Sequence, residues 1–181
     1  MIDLLWSHME RDRGQNALRQ TIWQLKARLG DDFLHAWRDR VSLASVVSTD
    51  RDAFLAAIAA GEIERAVDLY RGDFVPGFAT PGSTNFEHWA DTERLELRRR
   101  FLRAAEELVQ RRLATGHARE ALAVARRARD LDQVNQGAWR QVLLCLIASG
   151  NPLVARVEAD ALSHLIESEE IAAEPETIVI I

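Results

Sequence analysis

A glycine turn followed by a helix with small residues on one face occurs three times in this chain. The clearest copy lies in Leu113–Leu131, where a turn at Gly116 separates two helical stretches. In each copy an alanine follows the glycine by five residues: Gly61 with Ala66, Gly116 with Ala121, and Gly150 with Ala155. Small side chains on a helix face allow a neighbouring helix to approach closely. The repeat therefore predicts packed helices and not a catalytic site.

The second and third glycines lie 34 residues apart, which is the spacing of tetratricopeptide-type helical hairpins. Apolar periodicity and the Gly- and Pro-rich breaks predict the remaining helices. These cover residues 50–60, with Asp50 as the cap, and residues 62–70, 86–110, 136–149 and 153–168. The chain from residue 49 onward is thus expected to be almost entirely helical.

A separate helix is predicted over Gln15–Leu29, after a short apolar piece at 2–6 and a polar turn at 7–14. Its apolar stripe consists of Leu18, Ile22, Leu25 and Leu29. At 100° per residue, the polar residues Asn16, Gln20 and Gln24 lie on the opposite face together with Trp23. Arg19 and Lys26 lie on the flank.

Two interpretations of that polar face remain open. Asn and Gln side chains can make paired hydrogen bonds to adenine edges, and Arg and Lys reach guanine or phosphate. The same residues also suit an ordinary solvated helix with one exposed tryptophan. Trp23 itself can either contact DNA or pack against strands that precede this helix.

The residues after this helix favour the nucleic-acid interpretation. Residues 33–37 and 41–44 read as two strands joined by a charged turn that carries Arg38 and Arg40. A helix followed at once by a hairpin with arginines at its tip is the layout of a winged helix. In that layout the helix enters the major groove and the hairpin, or wing, contacts the backbone. We therefore predict DNA contacts from Asn16, Arg19, Gln20, Trp23, Gln24, Lys26, Arg38 and Arg40.

Composition excludes several other classes of protein. The net charge is −5, yet Gln15–Leu29 contains three basic residues and no acidic one, so a local basic face is compatible with an acidic chain. No apolar run has the length of a membrane span and no secretory signal is visible. The single cysteine, Cys145, lies in an apolar segment and fits a reducing compartment, so we expect a cytoplasmic protein that contacts no membrane.

The sequence contains no motif that indicates catalysis. A phosphate-binding Gly-x4-Gly-Lys-Ser/Thr loop is absent, the five histidines are scattered, and no Ser, His and Asp are placed as a triad. We expect no enzymatic activity, no cofactor, and no metal or catalytic site.

The chain resembles the bacterial transcriptional activator domain proteins of the antibiotic-regulatory-protein (SARP) class over nearly its whole length. The most specific phrase is Leu69–Phe78, which reads Leu-Tyr-Arg-Gly-Asp-Phe-Val-Pro-Gly-Phe. Further support comes from Leu4–Trp6, Asn16–Gln20, Leu25–Gly30, Arg40–Leu43 and Gly116–Leu122.

The resemblance implies an OmpR/PhoB-like winged helix, partial here, over residues 1–48 and a helical activator domain over residues 49–177. The implied fold class is mainly α: tetratricopeptide-like hairpins preceded by a truncated winged-helix segment with a short β-hairpin. The implied partners are repeated promoter sites, read through the DNA major groove, RNA polymerase subunits, and a second copy of the chain. The alternative is a helical-repeat interaction module without DNA binding, within a larger signalling ATPase.

Two features differ from the family pattern. The family has a sheet and a helix before the Leu4–Trp6 phrase, and the apolar segment 178–181 has no evident partner, so we expect a longer protein. The segment 169–175 follows the family's Glu-Leu-Gly-Val-Glu-Pro pattern without its glycine.

Overall fold

A computed structural model describes residues 1–37, 40–78 and 83–180. Within these residues the chain is mainly α-helical, with one short antiparallel hairpin, as the sequence predicts. The helices are α1 (Ile2–Leu5), α2 (Arg11–Leu29), α3 (Asp50–Ala59), α4 (Ile63–Leu69), α5 (Thr84–Ala114), α6 (Ala118–Leu131), α7 (Gln136–Ala148), α8 (Pro152–Ser168) and α9 (Pro175–Ile178). Strands β1 (Leu34–Ala36) and β2 (Val41–Leu43) follow a single 3-10 turn, Asp31–Phe33.

Contact density divides the chain into two compact units. Unit 1 comprises Met1–Ala53 and Asp73–Leu97, and unit 2 comprises Phe54–Gly72 and the chain from Arg98 onward. Helices α3 and α5 contribute residues to both units. The predicted boundary near residue 48, between the partial winged helix and the activator domain, is not tested by this division and stays a prediction.

The core of unit 2 is built on the repeated glycine step. Gly61, Gly116 and Gly150 have positive φ angles of 71°, 79° and 77°, a conformation that residues with a Cβ rarely adopt. After each glycine the next amide donates to the carbonyl five residues back, which terminates the helix in a Schellman motif. The alanine five residues after each glycine is buried, so the repeat predicted from the sequence is a repeat of structure.

The alanine face of α6 is the centre of this core. Helix α6 buries Ala118, Ala121, Val124, Ala125 and Ala128, and it packs on α7, which in turn packs on α8. Small residues on α6 allow its neighbours to approach closely. The prediction that Leu113–Leu131 is packing structure is therefore confirmed.

Two hydrogen bonds from one side chain hold the segment after α8 against α7. The side-chain amide of buried Gln136 donates to the carbonyl of Ala172 at 2.9 Å and accepts from the amide of Glu174 at 2.9 Å. The positive φ in this segment, 51°, belongs to Glu170 and not to Ala172, the position of the family's glycine. The chain therefore makes this turn without that glycine.

In unit 1, the family phrase ending at Phe78 is held against α5. The guanidinium of Arg94 donates to the carbonyls of Phe74 and Val75 at 2.9 and 3.1 Å. The ring of Phe74 meets Trp89 edge-on at 5.5 Å between centroids. These contacts hold Val75 at a φ of 41°, an uncommon conformation for a β-branched residue.

Two local predictions are corrected by the structure. Helix α2 begins at Arg11, so part of the predicted polar turn at 7–14 is helical. The cap of α3 is Thr49, whose hydroxyl accepts from the amide of Asp52 at 3.0 Å, whereas Asp50 is already helical.

Candidate nucleic-acid interface

Helix α2 packs against α1 and against the 3-10 turn Asp31–Phe33 of unit 1. Gly14, one turn into α2, is buried, and a Cβ there would lie 2.7 Å from Cγ2 of Ile2. The glycine thus allows α1 to approach α2. Gly30, with a φ of 96°, ends α2, and the chain turns directly into the 3-10 segment before β1.

The hairpin has a short, regular register. Leu34 pairs with Leu43, His35 with Ser42, and Ala36 with Val41. The amide of Trp37 donates to the carbonyl of Arg40 at 2.8 Å, which continues the ladder toward the tip. Arg38 was predicted to contact DNA from this tip, but it lies outside the described residues.

A groove of about 830 Å³ runs between α2 and the hairpin. We call it the α2–hairpin groove. Its floor includes Ile2, Leu18, Ile22 and Val41, and its basic side chains are Arg11, Arg19, Lys26 and Arg40. The described residues that line it include no acidic side chain. The groove therefore combines an apolar floor with positive charge.

The predicted DNA-contacting residues fall into two groups. Arg19, Trp23, Lys26 and Arg40 line the α2–hairpin groove, where Trp23 is 69% exposed. Asn16, Gln20 and Gln24 do not line it but form an exposed strip along the same helix. The guanidinium of Arg19 donates to the side-chain oxygen of Asn16 at 3.3 Å, so the two groups meet there.

The apolar stripe of α2 is less buried than the pattern of a core helix implies. Leu18 and Ile22 are half-buried, while Leu25 and Leu29 are exposed. Within α2, all of which the structure describes, Gly14 alone is fully buried. A large fraction of this helix surface is thus available for contacts.

Sequence reasoning missed two residues of the groove. Trp37 is 66% exposed and lines the groove beside the ring of His35, with centroids 5.9 Å apart. Strand alternation places positions 35 and 37 on one face, and this signal was available in the sequence. Arg11 was missed because it falls in the segment predicted as a turn.

Neither a metal centre nor a membrane span is found in the parts of the chain that the structure describes. No cluster of three His, Cys, Asp or Glu side chains there is arranged to hold a metal ion. None of the described helices is both long and apolar enough to cross a membrane.

A sequence model of the bacterial transcriptional activator domain matches residues 34–177, which is most of the chain. The chain belongs to the bacterial transcriptional activator domain family. This match confirms the resemblance and supports a regulator of the SARP type. The family is regulatory and is not an enzyme family. A search of curated proteins finds no match to the chain.

The activator-domain match begins at Leu34, the first residue of β1, and thus includes the hairpin as well as the helices of unit 2. Helix α2 precedes it. The winged-helix assignment of α2 with the hairpin therefore stays a prediction that the family match does not test.

Proposed function

We propose that this activator-domain chain is a DNA-binding transcriptional regulator, in which α2 enters the major groove of promoter DNA and the hairpin contacts the backbone. The observation that carries the proposal is the arrangement of Arg19, Lys26 and Arg40 along one groove. The described residues that line this groove include no acidic side chain, and its basic side chains lie on both α2 and the hairpin. Phosphate contacts from such residues supply most of the affinity of proteins for DNA.

The exposed amide strip supports a role in reading bases. Asn16, Gln20 and Gln24 are exposed on α2, beside the basic residues. Asn and Gln are suited to bidentate hydrogen bonds with adenine in the major groove. In this arrangement Arg19 and Lys26 fix the position of the helix on the phosphates, and the amides specify sequence.

The wing and the helical unit have separate roles in the proposal. Arg40 contacts the backbone next to the helix, as does Arg38, which lies outside the described residues. Trp23 contacts the bases or sugars at the edge of the groove. Unit 2 provides the surfaces for RNA polymerase subunits or for a second copy bound at an adjacent promoter repeat. The protein acts in the cytoplasm, where its DNA is located.

The decisive measurement is the salt dependence of DNA binding. Labelled 30-bp duplexes are first selected by the purified chain from a random-sequence library, and their Kd is then measured over a series of salt concentrations. Each phosphate contact contributes about −0.9 to the slope of log K against log salt. The variant R19A/K26A is expected to bind several-fold more weakly, with a slope less steep by about one to two.

Two controls make the measurement specific. The variant R103A/R119A removes the same charge from exposed positions of unit 2 and should change neither affinity nor slope beyond a small nonspecific effect. The variant N16A/Q20A should alter the selected sequence while the salt slope stays unchanged. An unchanged slope in R19A/K26A would remove these residues from the interface. A chain that selects no DNA at all would instead favour the helical-repeat interaction module.

A further inference from the structure

The last long helix, α8, has an apolar face that no described part of the chain covers. This outer face consists of Leu153, Val154, Val157 and Ala161. Leu153 is 81% exposed and Val157 is 67% exposed. At 100° per residue the four positions fall within an arc of about 100°, on the side opposite the buried Ala155 and Leu162.

An exposed apolar face is unusual on a helix of a hairpin stack. Each hairpin in such a stack buries its apolar surface against its neighbours, and the helix faces that meet water are normally polar. The second half of α8 follows that rule, since His164 and Ser168 are its exposed residues on the same side. The apolar part is therefore confined to 153–161, with Val157 at its centre.

Two charged residues flank the centre of the outer face. Arg156 and Asp160 are both exposed on one edge of it, four positions apart. Among the described residues neither has an ion-pair partner, although their spacing would allow a pair within the helix. A base that precedes an acid by four positions is the weaker orientation for such a pair. Both charges are thus available to another molecule.

We propose that the outer face of α8 binds the same face of a second copy of this chain, with the two helices antiparallel about a two-fold axis near Val157. The axis brings Val157 against its own counterpart and Leu153 of one copy against Ala161 of the other, so a large side chain meets a small one. The same rotation places Arg156 of each copy beside Asp160 of the other. Apolar surface and charge are therefore both self-complementary, which is what an isologous interface requires.

The size of the face determines how strong this dimer is. The exposed apolar patch is on the order of a few hundred Å². A stable interface buries about 800 Å² on each partner. We therefore expect a weak, concentration-dependent dimer, which becomes more populated when adjacent promoter repeats hold two copies together.

The inference deepens the proposed function, since it names the contact surface of the helical unit, but its test contains no DNA. Sedimentation equilibrium of the full chain is measured from low to high micromolar concentration. The dimer is expected to appear with concentration, and V157D is expected to raise its Kd at least about tenfold. The matched control V46D, at a position that is 83% exposed in unit 1, should leave the Kd unchanged.

A mixing experiment tests the two-fold arrangement itself. R156D and D160R should each dimerise more weakly than the unmodified chain, because like charges then meet across the axis. An equimolar mixture of the two variants should dimerise again, since every pair across the axis has opposite charges. Circular dichroism confirms that each variant is folded.

Three results would overturn the proposal. These are a monomer at all concentrations, a dimer that V157D does not weaken, and a mixture that associates no better than its components. DNA binding by a strictly monomeric chain would reject this interface and leave the proposed function in place.

Discussion

The guanidinium of Arg129 donates to the carboxylate of Glu158 at 2.7 Å, which joins α6 to α8 across the intervening α7. Both side chains are about one-fifth exposed or less, at 17% and 20%. The same guanidinium lies over the ring of Trp139 at 4.9 Å. Burial opposes the charge of Arg129, but Asp130 and Glu158 outweigh it, so the pKa of Arg129 is raised. Arg129, on α6, thus contacts both of the helices that follow it, α7 and α8.

A double-mutant cycle with R129Q and E158Q should show a coupling free energy of about 1–2 kcal/mol, because the pair is charged, hydrogen-bonded and largely shielded from water. The measurement is urea unfolding followed by circular dichroism. The exposed pair Arg65 and Glu62, at 66% and 47% exposure, is the matched control and should couple by no more than about 0.5 kcal/mol. Equal coupling in both pairs would show that burial does not strengthen the α6–α8 link.

Replacing Gly116 by Ala should lower the free energy of unfolding by about 1 kcal/mol. A Cβ built at this position has no atom within 4 Å, so the loss comes from the positive φ and not from a clash. G116N tests this cause, since Asn tolerates the left-handed region better and should lose less stability. If both variants lost the same amount in thermal unfolding, backbone strain would not be the cause.

Enlarging an alanine in the core of α6 should be much more harmful than enlarging one on its surface. Ala121 is fully buried and Ala123 is exposed on the same helix. A121L is expected to cost about 1–3 kcal/mol through overpacking, whereas A123L should be nearly neutral. Urea titrations of the two variants provide the comparison, and similar midpoints would contradict the close packing at Ala121.

Replacing Gly14 by Ala should increase stability only where Ile2 is also replaced by a smaller residue. Ala normally favours a helix over Gly by about 1 kcal/mol, but here its Cβ would lie 2.7 Å from Ile2. G14A alone should therefore displace α1 and gain no stability, while the same change in an I2A background should be stabilising. Hydrogen exchange of the α1 amides reports the displacement. A stabilising G14A in the unmodified chain would mean that α1 does not require the glycine.

Cys145 should make the unfolding free energy fall at alkaline pH. Burial raises the pKa of its thiol to about 11, from an ordinary value of 9.0. The unfolded chain thus loses the thiol proton first, so this contribution is complete below pH 9 and is lost as the pH rises toward 11, by about 2 kcal/mol. Urea unfolding of the unmodified chain and of C145A at pH 8, 9, 10 and 11 isolates this effect. Equal pH dependence in both chains would exclude it.

Much of the fold was predictable because the signals were local. Positive φ at Gly61, Gly116 and Gly150 is required by the turn itself, and the helices between these turns follow from apolar periodicity. The hairpin was likewise predictable from a charged turn between two short apolar runs. The start of α2 was not predictable. Gly14 has the composition of a turn residue, but it lies inside the helix where α1 approaches α2 closely.

The candidate interface was only partly predictable for a related reason. The periodicity of α2 identified its polar face, yet it could not show which of those side chains also face the hairpin. Trp23 and Lys26 line the α2–hairpin groove, while Gln20 and Gln24 do not. Trp37 lines the groove because the chain at the end of β1 lies opposite α2, which its position in the sequence does not reveal.

The sequence by itself determined the family, the three glycine turns and the helices that these turns separate, because these depend on residue type and spacing along the chain. Only the tertiary structure decided which surfaces are covered, since burial depends on neighbours that are distant in sequence. The alanines of α6 and the valines of α8 both form apolar helix faces. Packing on α7 buries the first set, whereas Val154 and Val157 remain exposed to water.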